Sequence, residues 1–221
     1  MMKKSVYSLV LMDDVVEAID EMAYRMGTNR SNLINQILAE RVSYITPERR
    51  MQDIFDRVRN MMDSHFQILS QASGANLSIR SPLRFRYKPT IRYKVELYRE
   101  TQRSIFGSLT VSFRTQSERL MEALNSFFKV WAVLENSFSG ENFENGIEYE
   151  LSDGKYIRSL KIPVSVSGMD IDTEKLGKAI GDYISLIDSE IKLYFAGIDV
   201  PEKAAEDMKR LYSENMDKAL I

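Results

Sequence analysis

The first 45 or so residues read strand, helix, turn, helix in too little chain to close a hydrophobic core alone, so any fold for this chain must supply the missing surface. Lys4 to Leu11 (KSVYSLVL) alternates over one strand length, with Tyr7, Leu9 and Leu11 on one face and Val6, Ser8 and Val10 on the other. A helix follows at once, Asp13 to about Met26, with Ile19, Met22, Ala23 and Met26 at helical spacing and Asp13-Asp14 in its positive first turn. Gly27 ends it as a C′ residue. The stretch TNRSNLINQIL opens a second helix, with Asn29 or Thr28 as N-cap and Leu33, Ile34, Ile37, Leu38 and Val42 as its apolar stripe.

This order resembles the ribbon-helix-helix family, the Arc, MetJ and CopG type of DNA-binding protein, over about a fifth of the chain. The residues that carry it are the alternating strand closed by Leu11, the acidic start Asp13-Asp14, the Ala23 to Gly27 helix end, and Asn29-Arg30-Ser31-Asn32-Leu33-Ile34. The resemblance implies that two chains pair their strands into an antiparallel ribbon that enters the major groove of double-stranded DNA, where base edges are distinguishable. Physics adds its own reason for a dimer, since a lone strand has no ladder partner and so short a unit rarely stabilises a core.

With Tyr7, Leu9 and Leu11 inward, the resemblance sends Lys4, Val6, Ser8 and Val10 to the DNA. Of these, only Lys4 and Ser8 can donate a hydrogen bond to a base edge, while Val6 and Val10 suit thymine methyl groups. The alternative is that protein covers this face and the module only dimerises. Met12 stands where the family commonly has proline. The backbone amides of Asn29, Arg30 and Ser31, with the Ser31 hydroxyl and the Arg30 guanidinium, would then clamp a phosphate, the alternative being ordinary capping.

At 221 residues and 44% hydrophobic content the chain can hold this module, 1–46, and a second domain, 47–221, with a core of its own. Thr46-Pro47-Glu48 is a helix start and places the boundary near Ser43 to Pro47. The start MMKKSVYSLVLMDD is too briefly apolar for a signal peptide, and no run is long enough to span a bilayer, so the expected location is cytoplasmic with no membrane partner. Zero cysteines and a single histidine, His65, leave no zinc cluster and little for nucleophile-base chemistry. Without a phosphate-cradling glycine loop, an HExxH or a GxSxG, no metal, cofactor or catalytic residue is assigned and no enzyme is expected.

The net charge of −2 hides a segregation: residues 74–114 carry nine basic and two acidic side chains, residues 115–221 twelve and twenty. Between Pro47 and about residue 70 a wide apolar stripe (Met51, Ile54, Val58, Met61, His65, Ile68) predicts a helix that packs on a sheet or pairs with its copy. On it, His65 reads as a packed, hydrogen-bonded side chain rather than a ligand or base. The segments NLSIRSP, LRFRYKP, TIRYKVELY and SIFGSLTVSFR then alternate as strands. Leu83, Phe85 and Tyr87 oppose Arg84, Arg86 and Lys88, and Ile91, Tyr93, Val95 and Leu97 oppose Arg92, Lys94, Glu96 and Tyr98. One face of this sheet is apolar and the other basic. Its cations Arg84, Arg86, Lys88, Arg92 and Lys94 repel unless a second nucleic acid, the acidic carboxy-terminal half, or an anionic small ligand neutralises them.

Beyond it, Ser117 caps a helix to about Phe138, and Ile147–Leu151 with Tyr156–Val166 make a hairpin whose Asp153-Gly154 is a type I′ signal. Two helices begin at Asp172 or Thr173 and at Pro201. Gly177 and Gly181, four apart in the first of them, predict a close helix contact. The expected fold is a ribbon-helix-helix followed by an α+β domain with an antiparallel sheet. The expected function is a homodimeric, sequence-specific DNA-binding transcriptional regulator. The alternative is an accessory protein whose ribbon only dimerises and whose basic sheet binds single-stranded nucleic acid or an effector protein.

Overall fold

The computed structural model describes residues 6–42, 44–69, 74–85, 89–166 and 172–221. In them the chain is an α+β protein with six α-helices and a six-stranded antiparallel sheet. It divides into two compact units, one up to Arg50 and one from Met51.

The smaller unit opens with residues 6–12, extended but in no ladder, so the expected strand is not formed within the chain. A strand needs a partner for its N–H and C=O groups, and none of the sheet strands pairs with this segment. Helix α1 (Asp13–Arg25) starts after Met12 without a side-chain cap, leaving its first-turn carboxylates to answer the helix dipole. It ends as a Schellman motif: Gly27 takes φ +63, its amide donates to the Tyr24 carbonyl, and the Thr28 amide donates to that of Ala23. Helix α2 (Arg30–Arg41) is capped by the Asn29 side chain, which accepts from the Asn32 amide at 2.9 Å. Buried apolar residues here are Ala23, Leu33 and Ala39, whereas Tyr7, Leu9, Met12, Met26 and Leu38 stay exposed.

Helix α3 (Pro47–Met61) is capped by the Thr46 hydroxyl on the Arg49 amide, and buries Met51, Ile54, Phe55 and Val58. It stops at Met61, short of the expected residue 70. Ser64-His65 make a turn in which the Phe66 amide donates to the Asp63 carbonyl, and Gln67–Leu69 then joins the sheet as β1. The other strands are β2 (Asn76–Pro82), β3 (Thr90–Gln102), β4 (Ile105–Phe113), β5 (Tyr149–Ser152) and β6 (Lys155–Lys161), in the order β1-β2-β3-β4-β6-β5. Helix α4 (Glu118–Ser139), begun by a Ser117 cap, lies between β4 and β5 in the chain, and α5 (Thr173–Ala196) and α6 (Pro201–Glu214) follow β6. Period two sends Leu77, Ile79, Ile91, Tyr93, Val95, Leu109, Val111 and Tyr156 into one core with residues of α3, α4, α5 and α6. The α3 stripe is therefore consumed inside one chain and is not a coiled-coil seam. Residues 83–85, expected as a strand, lie outside the ladders.

The turn expected to be type I′ is not one, and a turn for which no type was expected has the type I′ angles. At Asp153-Gly154 only the glycine has positive φ, so the turn is not type I′. Asn125 of α4 sets it instead, donating to the Asp153 carboxylate at 2.6 Å and accepting from the Gly154 amide at 2.9 Å. Between β3 and β4, Arg103 and Ser104 have φ +48 and +66 across the Gln102–Ile105 pair, the two positive angles a type I′ turn requires.

Helix α5 crosses α3 where a β-carbon on Gly177 would lie 2.6 Å from Arg57 Cβ and 2.8 Å from the Ile54 carbonyl oxygen. Gly177→Ala should lower Tm even though alanine favours a helix by about 1 kcal/mol, because backbone on the other helix has to move. Gly74→Ala, where nothing lies within 4 Å, is the matched control. Equal Tm values for the two variants in thermal unfolding would show that the crossing is not tight.

Candidate functional site

The outward face of the sheet carries the least compensated charge. Register places Arg80 of β2 directly opposite Arg92 of β3, Arg92 opposite Ser112 of β4, and Ser112 opposite Lys155 of β6. Arg114 follows β4 on the same side by alternation. Arg80, Thr90, Arg92, Ser112 and Arg114 line a depression of about 460 Å³. Among the described residues no carboxylate lies within ion-pair distance of these three guanidiniums.

The expected basic surface is only partly assembled. Arg92 belongs to the depression. Lys94 does not act as a free cation, because Glu96, two residues along the same strand face, holds its ammonium at 3.0 Å. Arg84 is exposed beyond the end of β2, and Arg86 and Lys88 lie outside the described residues. Arg80 and Arg114 were missing from the expected set although alternation already put them outward: Ile79 and Phe113, their neighbours, face the core. The register that gathers them was not readable from one strand at a time. Four acids of the carboxy-terminal half pair elsewhere, Glu135 with Arg158, Glu148 with Lys161, Glu174 with Arg57 and Asp188 with Lys192.

Among the described residues, the rings interleaved with these arginines do not form a stacking surface. Tyr93 is buried with its hydroxyl donating to Asp188 at 2.8 Å, and Phe85 packs edge-on against Phe195. Tyr98 is exposed, and Tyr87 lies outside the described residues.

In the smaller unit Lys4 lies outside the described residues, while Val6, Ser8 and Val10 are exposed, the two valines at 99% and 102%. Asn29 spends its side chain on the cap. Arg30 is not free for a phosphate: its guanidinium grips the Asp20 carboxylate of α1 through two nitrogens, Nε at 2.6 Å. The same bond holds the Asp20 carboxyl below and the Arg30 guanidinium above their usual ranges. Ser31 is exposed in the first turn of α2, where amides lack intrahelical acceptors.

Buried acids cluster on α5. Asp188 is satisfied by Tyr93 and by Lys192 at 2.5 Å, with His65 Nε2 3.4 Å away. His65 itself lies beyond the end of α3 rather than on it and is exposed rather than packed, its ring tilted against Phe66 and its Nδ1 2.9 Å from Asp63. The described residues contain no group of three or more side chains placed to hold a metal ion. No helix among them is long and apolar enough to cross a membrane. Comparison with protein-family models, curated proteins and solved structures found no match.

Glu190 is the exception among these acids. Both of its carboxyl oxygens are buried without a hydrogen-bond partner, and burial pushes its pKa up to about 8. The unfolded chain gives up this proton near the ordinary glutamate value, so between there and pH 8 the folded chain holds more protons and stability falls as pH rises. Glu190→Gln should therefore match the wild type near pH 5 and exceed it at pH 8, by on the order of a few kcal/mol. Thermal unfolding of both proteins from pH 5 to 9 measures this, and parallel curves would refute it.

Proposed function

We propose that this chain is a homodimeric transcriptional regulator that reads double-stranded DNA with residues 4–11, paired antiparallel with the same segment of a second copy. The observation that carries the reading is the mismatch in the smaller unit between what is buried and what is displayed. Ala23, Leu33 and Ala39 are buried, while Tyr7, Leu9, Met12, Met22, Met26 and Leu38 are exposed on an extended segment and two helices. A second copy would supply both the ladder partner and the apolar cover, completing a ribbon-helix-helix. Val6, Ser8 and Val10, with Lys4, then lie on the outer side of the ribbon. The Arg30–Asp20 bridge fixes the start of α2 against α1, leaving the amides of Arg30 and Ser31 and the Ser31 hydroxyl to meet a phosphate. The accessory reading, with the basic sheet binding single strands, is the weaker because Tyr93 and Phe85 are packed away from solvent.

Removing residues 1–46 should abolish duplex binding in a gel-shift assay with native promoter fragments, and unchanged affinity would defeat the proposal. Replacing Leu9 and Leu11 together by aspartate should shift sedimentation toward the monomer while leaving the larger unit folded by circular dichroism. Ser8→Arg or Val6→Lys should change the sequence selected from random duplexes. Identical selected sites for variant and parent would argue against readout by this segment.

A further inference from the structure

We infer that the Arg80–Arg92–Arg114 depression binds a small molecule carrying two or more linked phosphate groups. The inference does not depend on DNA binding by the smaller unit. It begins with a cost: like charges directly opposite on neighbouring strands destabilise a sheet, and Arg80 and Arg92 occupy such a pair. Several other cations of the larger unit find carboxylates, as in Arg57–Glu174, Lys94–Glu96, Arg158–Glu135 and Lys161–Glu148. These three do not, so the fold tolerates repulsion that an external anion would remove.

Shape and chemistry narrow the anion. A depression of about 460 Å³ is of small-ligand size. Guanidinium forks match phosphate oxygens bidentately, and the Thr90 and Ser112 side chains add hydroxyl donors at the rim. Three positive charges exceed what one phosphate brings and match a linked di- or triphosphate. A polynucleotide fits less well. Next along the face Lys94 and Glu96 neutralise one another, their cross-strand partners Thr110 and Ser108 carry no charge, and the ring in the lining, Phe113, is buried. Among the described residues there is no continuous basic track along that row for a backbone to follow and no exposed ring in the depression for a base to stack on.

Calorimetric titration of the full chain with inorganic triphosphate tests the site, with orthophosphate and a duplex oligonucleotide as parallel titrants. The expected result is saturable binding of one triphosphate per chain, at least about ten-fold tighter than orthophosphate. Arg80→Ser and Arg92→Ser should each weaken it by about ten-fold or more, Lys209→Ser on α6 should leave it unchanged, and all three variants should bind duplex like the parent. Arg92→Ser should also unfold at the same Tm as the parent or higher, since it relieves repulsion, which separates lost binding from lost folding. Absence of saturable triphosphate binding, its survival in both arginine variants, or an equal loss in Lys209→Ser would overturn the assignment. Duplex binding that falls in the arginine variants while triphosphate fails to bind would overturn it in favour of a nucleic-acid backbone.

Discussion

A charge pair buried between sheet and helices ties together the elements of the larger unit. Arg158, on the core face of β6, is 1% exposed, and Glu135 of α4 is fully buried. Their Nε and Oε1 atoms are 2.7 Å apart, and neither atom has an aligned hydrogen bond. Such a pair repays its desolvation only if the remaining polar atoms are satisfied. Tyr156 donates to the second Glu135 oxygen at 2.6 Å, the Ala219 and Ile221 carbonyls accept from the Arg158 guanidinium, and the Tyr183 ring lies 4.6 Å from it. One side chain thus joins β6, α4, α5 and the last residues. Burial and the nearby Glu135 charge keep the Tyr156 and Tyr183 hydroxyls protonated far above their usual range.

That pair also fixes register. Slipping β6 by one residue would turn Arg158 to solvent and strand Glu135, a loss of about 3–5 kcal/mol for an unpaired buried charge. β6 in turn pairs with β4, and β4 with β3, so the juxtaposition of Arg80, Arg92 and Ser112 on the far face rests on a lock built on the near one. The outward face is then free to carry groups that the fold itself does not need.

Legibility in the sequence followed the range of the interaction. Local signals held: Gly27 ends α1, Ser117 and Asp172 cap α4 and α5, and the alternation of TIRYKVELY sorts β3 into a dry face and a wet one. Gly177 and Gly181 announced a close contact, though not that α3 would make it. Non-local choices were hidden. Pairing with β2 drew residues 67–69 out of a helical pattern that ran past Met61, and Asn125, far away in sequence, reset the Asp153-Gly154 turn. The basic stretch could be seen, but not that Glu96 would silence Lys94 while Arg80 met Arg92. Arg30 looked like a phosphate ligand until tertiary structure brought Asp20 to it.

What the chain leaves unsatisfied differs by depth, and depth decides its consequence. Glu190 is buried beyond the reach of any partner, so it resolves its cost by keeping its proton. The backbone and apolar side chains of residues 6–12 and the guanidiniums of Arg80, Arg92 and Arg114 are open to solvent or half-open. Water satisfies them adequately but not best, since a strand gains a ladder from another strand and a fork of N–H donors gains charge-assisted bonds from an anion. A buried mismatch becomes a pH dependence of stability, whereas an exposed one becomes affinity. The first needs a group without a neighbour. The second needs several groups of one kind held together by packing elsewhere, and both the extended segment and the arginine depression meet that condition.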